Sequence, residues 1–488
     1  MKKLQQNFIY NLLYQLLLIA LPLVTAPYIA RTLGAESTGI YSYTYSVAQY
    51  FLLFAMLGIS NHGNRCVAAV KDDPEKLSNT FCSIYTIQLG TFVISSVIYL
   101  VYILFFCVDN KLVAAIQFLY VLSGALDISW YYFGTEQFKI TVTRSTVIRL
   151  LTVLMIFVLV KTPGDLWKYT LIMAAGTLIS QLYLWIYIPK QVKMRKTSFE
   201  QIKLHMKPIV VLFVPVIAYS VYKIMDKVML GNMTSYTQVG YYENAEKIIS
   251  IPMGVITALG TVMLPRMSNM ISNGEEEKAK DYIRISVKLV TLVGSAIAFG
   301  FIGISNVFVP VYFGPEYLPC VSLINFLSLT VFFVSWANVV RTQYLLPQHH
   351  DRAYVVSMIL GAIVNLIINI SLIPRLQGDG AAIGTVAAEF TVMLTQMFLI
   401  RKEIPIFKYC RDTIPYWIIG LLMQIAVSCY GELQGANVLT LVTQILIGII
   451  IYCAGCATYL VLSKDEIGIL LSDAVKSFFQ KKQQKKSR

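Results

Sequence analysis

Apolar runs near the roughly 20 residues needed for a membrane-spanning helix recur along the whole sequence, about fourteen of them. They fall near 8–30, 39–59, 80–108, 112–133, 142–160, 167–188 and 209–230, then 240–264, 285–309, 318–340, 354–373, 381–400, 414–430 and 438–462. Runs of this length predict an all-α polytopic membrane protein. The 57% share of hydrophobic residues agrees, being above the soluble norm of about 45–50%.

The net charge of +14 would suit a nucleic-acid binder if it were gathered on one face. Instead, most of the 40 lysines and arginines fall in alternate connections. These are Lys2 and Lys3; Arg65, Lys71 and Lys76; Lys139 and Arg144; the run 190–207; Arg266 to Lys288; Arg341 and Arg352; Arg401 to Arg411; and the tail after 463. Positive residues stay on the cytoplasmic side, so both termini are predicted to be cytoplasmic. The charge is explained by orientation and by anionic lipid headgroups, with no nucleic-acid partner. The first run is too long for a secretion signal and is read as retained. Eight scattered cysteines lack metal or redox spacing, Cys453 and Cys456 included. His349, His350 and Asp351 read as a solvated loop, and no metal is expected. No nucleophile elbow, Walker loop or zinc helix is present in the sequence, so energy from nucleotide hydrolysis is not expected within this chain.

The seventh run carries Lys223, Asp226 and Lys227. Ionised groups at that depth are expensive and as a rule face a partner or a water-filled cavity, which makes the cluster a candidate site. An internal echo bears on it. RTLGAESTGIYS (31–42) resembles DKVMLGNMTSYTQVGYYE (226–243), and the offset of roughly 200 residues recurs at Arg65 and Arg266. Six spans lie between the copies, so the two halves are expected to be parallel repeats about an axis along the membrane normal. The predicted organisation is an N-terminal lobe (1–196), a surface linker helix (197–207) opened by Thr197 and Glu200 at capping-box spacing, and a second lobe (208–402). Two further spans (403–463) and an amphipathic helix with a basic tail (464–488) follow, the latter opened by Ser463 and Glu466.

YIARTLGAESTGIYS, DISWYYFGTEQFKI (127–140), DKVMLG, GYYENAEKI, LPRMS, and Asn365 and Asn369 with LIPRLQGDGAAIGTVAAE (372–389) together resemble the polysaccharide-biosynthesis flippases over nearly the whole chain. The resemblance implies a fourteen-helix member of the multidrug/oligosaccharidyl-lipid/polysaccharide exporter superfamily. Its expected task is to move undecaprenyl-pyrophosphate-linked oligosaccharides such as O-antigen or capsule units across the bacterial cytoplasmic membrane by alternating access. Expected partners are the lipid-linked substrate, membrane lipids, and polymerase and assembly proteins. A cation-exporting multidrug antiporter and a membrane glycan polymerase are the competing readings; a cationic cavity disfavours the first and short outer connections the second.

Such a cargo needs cations for phosphate, hydroxyl or amide groups for sugars, and a place for the lipid. Arg31, Lys223 and Lys227 are the candidate pyrophosphate ligands, with Asp226 as their charge partner; a structural ion pair is the plainer alternative. Asp127 and Glu389 are candidate carriers of a coupling proton or sodium ion, with Glu243 and Glu246 as further acids. No other cofactor is expected. Tyr41, Tyr45 and Gln49 share a helix face suited to sugar rings, and Trp130, Tyr131, Tyr132, Tyr219 and Tyr222 are secondary candidates, against the general gathering of tyrosine and tryptophan at membrane interfaces.

Overall fold

The structure is a computed structural model that describes residues 2–463 and Gly468, without the side chains of 2–20, Lys190, Pro215, Ala218, Tyr219, Val221, Tyr222, Val255 and Thr261. The expected tail helix (464–488) and the side chains of Tyr219 and Tyr222 therefore lie outside the described residues. Seventeen α-helices and no strand occupy the described chain. Among the described residues, ten helical segments are long and apolar enough to cross a membrane by length and composition. The other expected spans correspond to the two halves of the first helix, to Leu166–Trp185 and to Phe199–Met233. Val93, Ile94, Val97 and Ile98 on one span and Ile449 and Ile450 on the last are all more than half exposed. Apolar residues left outward on continuous helices fit a lipid surround.

The chain divides into two compact units, 1–244 with 369–378, and 245–368 with the residues from 379 onward. In the first unit, α1 (Lys2–Met56) contains both of the first two spans, broken at Gly34, whose φ of 78° and ψ of 172° are open to glycine and strained for other residues. There follow α2 (Ile59–Val70), α3 (Pro74–Val101), α4 (Lys111–Leu126), the short α5 (Ser129–Gly134), α6 (Phe138–Leu159) and α7 (Leu166–Trp185). Asp73 starts α3 by accepting the amides of Glu75 and Lys76 ahead of Pro74, which has no N–H to satisfy at that position. Gln88, fully buried, donates to the carbonyls of Gly124 (2.6 Å) and Asp127 (2.9 Å) and accepts from the Trp130 indole (3.1 Å), tying α3, α4 and α5 together.

α8 (Phe199–Met233) unites the linker and the seventh span in one helix. The expected cap at Thr197 and Glu200 is displaced by one residue: Ser198 and Gln201 form the capping box, because Ser198 holds the extended conformation from which its side chain reaches the Gln201 amide. α9 (Tyr236–Ser272) is continuous although Glu243, Glu246 and Lys247 stand in its first turns.

The second unit contains the rest of α9, then α10 (Glu276–Tyr312), α11 (Cys320–Ser328), α12 (Thr330–Val340), the first part of α13 (Asp351–Leu376), whose end from Asn369 belongs to the first unit, α14 (Gly378–Ile400) from Asp379, α15 (Ile406–Arg411), α16 (Ile414–Gln434) and α17 (Val438–Ser463). The last two spans brace this unit. Tyr416, Met423 and Val427 of α16 and Tyr452 and Cys456 of α17 pack with Leu292, Ala296 and Phe299 of α10. The Tyr452 hydroxyl reaches the Leu292 carbonyl at 2.6 Å.

Candidate functional site

Asp226 lies on α8 within an otherwise apolar stretch and is 1% exposed. A carboxylate so placed needs donors aimed at it. The Tyr242 hydroxyl supplies one to Oδ2 at 2.9 Å and the Asn369 amide one to Oδ1 at 2.6 Å. Three helices, α8, α9 and α13, meet at this acid through residues that all belong to the first unit. One residue on, Lys227 is paired with Glu243 at 2.5 Å, and both side chains are less than one-fifth exposed. The same carboxylate oxygen of Glu243 accepts the Ser42 hydroxyl of α1 at 2.8 Å. The acid is thus shared between a lysine and a hydroxyl from the first repeat.

Glycines allow the two repeats to come this close. A Cβ on Gly39 would sit 1.7 Å from the Tyr236 carbonyl oxygen, and one on Gly240 would sit 1.9 Å from that of Ala35. Gly39 and Gly240, Ala35 and Tyr236, and Ser42 and Glu243 are each separated by the same repeat offset of 201 residues. Equivalent positions therefore touch reciprocally, as expected of a contact across a two-fold axis. Next to it the Tyr43 hydroxyl donates to Asn232 at 2.7 Å, with its ring seated where Gly231 has no side chain.

Residues 4–271 match the family described as polysaccharide biosynthesis protein, and residues 149–450 match the lipid II flippase MurJ family. The chain belongs to the polysaccharide biosynthesis protein family. It is a multi-pass membrane transporter, a flippase for lipid-linked polysaccharide, of the exporter superfamily indicated by the motifs. Proteins titled "Putative O-antigen transporter" from Escherichia coli (strain K12) and Shigella dysenteriae are 23% and 22% identical to it. Those alignments cover 82% and 78% of this chain and 97% and 95% of the relatives. In fold the flippase is similar to the inward closed conformation of lipid II flippase MurJ. The TM-score is 0.78 at 15% identity, over 94% of this chain and 99% of that one.

The other expected site residues of the flippase fall in three settings. Arg31 is exposed on α1, three residues before the break at Gly34, and Lys223 is half-buried one turn before Lys227. Asp127 ends α4 and turns its carboxylate onto the amide (3.0 Å) and hydroxyl of Ser129, the anchor of a helix start. Glu389 is buried on α14 in the second unit. Tyr41 is packed with Ile29, Leu33, Ile156 and Tyr169, and its hydroxyl meets that of Tyr120 at 3.0 Å. Tyr45 stacks on Tyr41 and bonds Gln49, and both Tyr45 and Gln49 keep partial exposure. Trp130, Tyr131 and Tyr132 are core residues at 1% exposure or less, their polar atoms engaged by Gln88, Gln191 and the Leu184 carbonyl. His349 and His350 are exposed in the turn before α13.

Sequence reasoning missed Tyr242 and Ser42 as partners of the charged cluster. Asn369 carried a signal of its own, being a second amide four residues after Asn365 on an apolar helix, which is a spacing that puts both on one face.

Proposed function

We propose that this flippase carries undecaprenyl-pyrophosphate-linked oligosaccharide units from the inner to the outer leaflet of a bacterial cytoplasmic membrane, with both termini in the cytoplasm. The observation that carries the reading is the Lys227–Glu243 pair, a cation held in place by a carboxylate that a stronger anion can displace. Breaking such a pair without a substitute leaves an uncompensated charge and is strongly disfavoured. A pyrophosphate offers more acceptor oxygens than Glu243 and takes over Lys227 without leaving it bare. Lys223, one turn away, and Arg31 of the first repeat add the charge that a diphosphate needs, and Tyr45 and Gln49, backed by Tyr41, offer a ring face and an amide to the sugar.

The released Glu243 and the buried Asp226 and Glu389 are the acids whose charge the cycle must manage. Uptake of a proton or sodium ion by one of them would reset the site between inward and outward exposure. Asp127, engaged as a helix anchor, is the fourth candidate. Released units would pass to polymerase and assembly proteins outside.

The test is ligand competition on the purified protein. Glycan-pyrophosphoryl lipid should bind, inorganic pyrophosphate should compete, and a lipophilic cation should not. Tight binding of the cation together with indifference to both phosphates would turn the assignment towards a multidrug exporter.

A further inference from the structure

Three metal-ligating side chains converge at the other end of α8. His205 stands 21 residues before Asp226 on the same helix, about 30 Å away at a rise of 1.5 Å per residue. His62 and Cys66 stand four residues apart on α2, so they share a face. His62 Nε2 is 2.8 Å from His205 Nδ1 and 3.4 Å from Cys66 Sγ, and one ligand atom from each residue lies within 4.8 Å of the other two. His62 is buried and the other two are half-buried. Gly58 lets the helices approach, since a Cβ there would lie 2.3 Å from the Ile209 carbonyl oxygen of α8.

We propose that His62, Cys66 and His205 form a zinc site that staples the start of α8 to α2. The donor set selects the metal: two imidazoles and one thiolate suit a borderline-soft ion, whereas magnesium and calcium require oxygen. The distances suit it as well. Tetrahedral zinc with Zn–N near 2.0 Å and Zn–S near 2.3 Å separates its ligand atoms by about 3.3 to 3.5 Å. The Cys66–His62 spacing already meets this, and the two imidazoles need to part by roughly half an ångström. Binding exchanges the imidazole–imidazole hydrogen bond for two Zn–N bonds, the ring that donated it then carrying its proton on its other nitrogen, and the Cys66 thiol gives its proton to solvent as the Zn–S bond forms. The fourth position is left to water or to an anionic group, and the site is independent of the pyrophosphate reading.

The full chain, stripped with chelator in detergent, is titrated with zinc and, in parallel, with cobalt. Zinc should bind at one equivalent and raise the melting midpoint. Cobalt should give the absorption of a tetrahedral site with a thiolate-to-metal band, and Cys66→Ser should abolish that band. His205→Ala should weaken zinc by more than the about 10- to 100-fold typical for loss of an outer-shell partner. His349→Ala/His350→Ala should leave affinity unchanged. The proposal is overturned by equal zinc binding in wild type and a Cys66→Ser/His205→Ala double variant, by dependence on His349 and His350, or by a wild-type cobalt spectrum without a thiolate band. That last spectrum needs no variant, so a misfolded mutant cannot obscure it.

Discussion

Replacing Gly39 or Gly240 by alanine tests whether the two repeats touch as described. The added Cβ would meet a backbone carbonyl oxygen at 1.7 or 1.9 Å, against the 3.4 to 4 Å of ordinary contact. Backbone on both sides cannot swing away as a flexible side chain can, so α1 and α9 must part by about 1.5 Å or more. Overpacking of this kind costs about 1 to 3 kcal/mol. Alanine is also the better helix former, by up to about 1 kcal/mol, and that gain must be separated from the clash. Gly90 supplies the reference: it is helical and a Cβ there meets nothing within 4 Å. Thermal unfolding in detergent should place Gly39→Ala and Gly240→Ala well below wild type and Gly90→Ala at or above it. Because one displacement relieves both clashes, the Gly39→Ala/Gly240→Ala double variant should lose less than the sum of the singles. Equal midpoints for Gly39→Ala and Gly90→Ala would refute the contact.

Three further perturbations probe the seam and the helix that carries it. Asp226→Ala should remove the acceptor of both the Tyr242 hydroxyl and the Asn369 amide at about 1 to 3 kcal/mol each, and Tyr242→Phe should lose less; an unchanged melting midpoint for Asp226→Ala would contradict the buried network. Glu243→Gln should destabilise the protein by about 3 to 5 kcal/mol by removing the carboxylate paired with Lys227. It should also tighten pyrophosphate binding, which calorimetry on the same protein would read. Ser198→Ala should cost about 1 kcal/mol through loss of the cap on α8, visible as slower protease resistance recovery after mild denaturant and a lower melting midpoint.

Fold and site were legible to different depths for physical reasons. Membrane helices announce themselves locally, because each backbone must satisfy its own hydrogen bonds within one apolar run. The repeat was legible too, since Gly39 and Gly240 sit at matching places in two similar segments and meet in the structure. Lys223, Asp226 and Lys227 stood out by their cost in an apolar helix. Their partners did not: Asn369 lies 143 residues from Asp226, and the Ser42 hydroxyl 201 from Glu243. The tyrosines show the limit of composition most plainly. Tyr41, Trp130, Tyr131 and Tyr132 have the chemistry of sugar platforms, yet their rings fill the interior of the first unit. His62 and Cys66 share one helix face at a spacing of four, but His205, the third ligand, comes from a helix 143 residues from the first and could not be paired with them from the sequence.

Translocation itself is the most direct test of the cationic site. Proteoliposomes carrying a fluorescent undecaprenyl-pyrophosphate-linked oligosaccharide would be assayed for transfer between leaflets with wild type, Lys223→Ala, Lys227→Ala and Lys227→Arg. Charge-assisted hydrogen bonds to phosphate are worth about 1.5 to 3 kcal/mol, so each alanine variant should lose about tenfold or more in initial rate, with Lys227→Arg retaining most of the activity. Wild-type rates in both alanine variants would contradict a pyrophosphate site at Lys223 and Lys227.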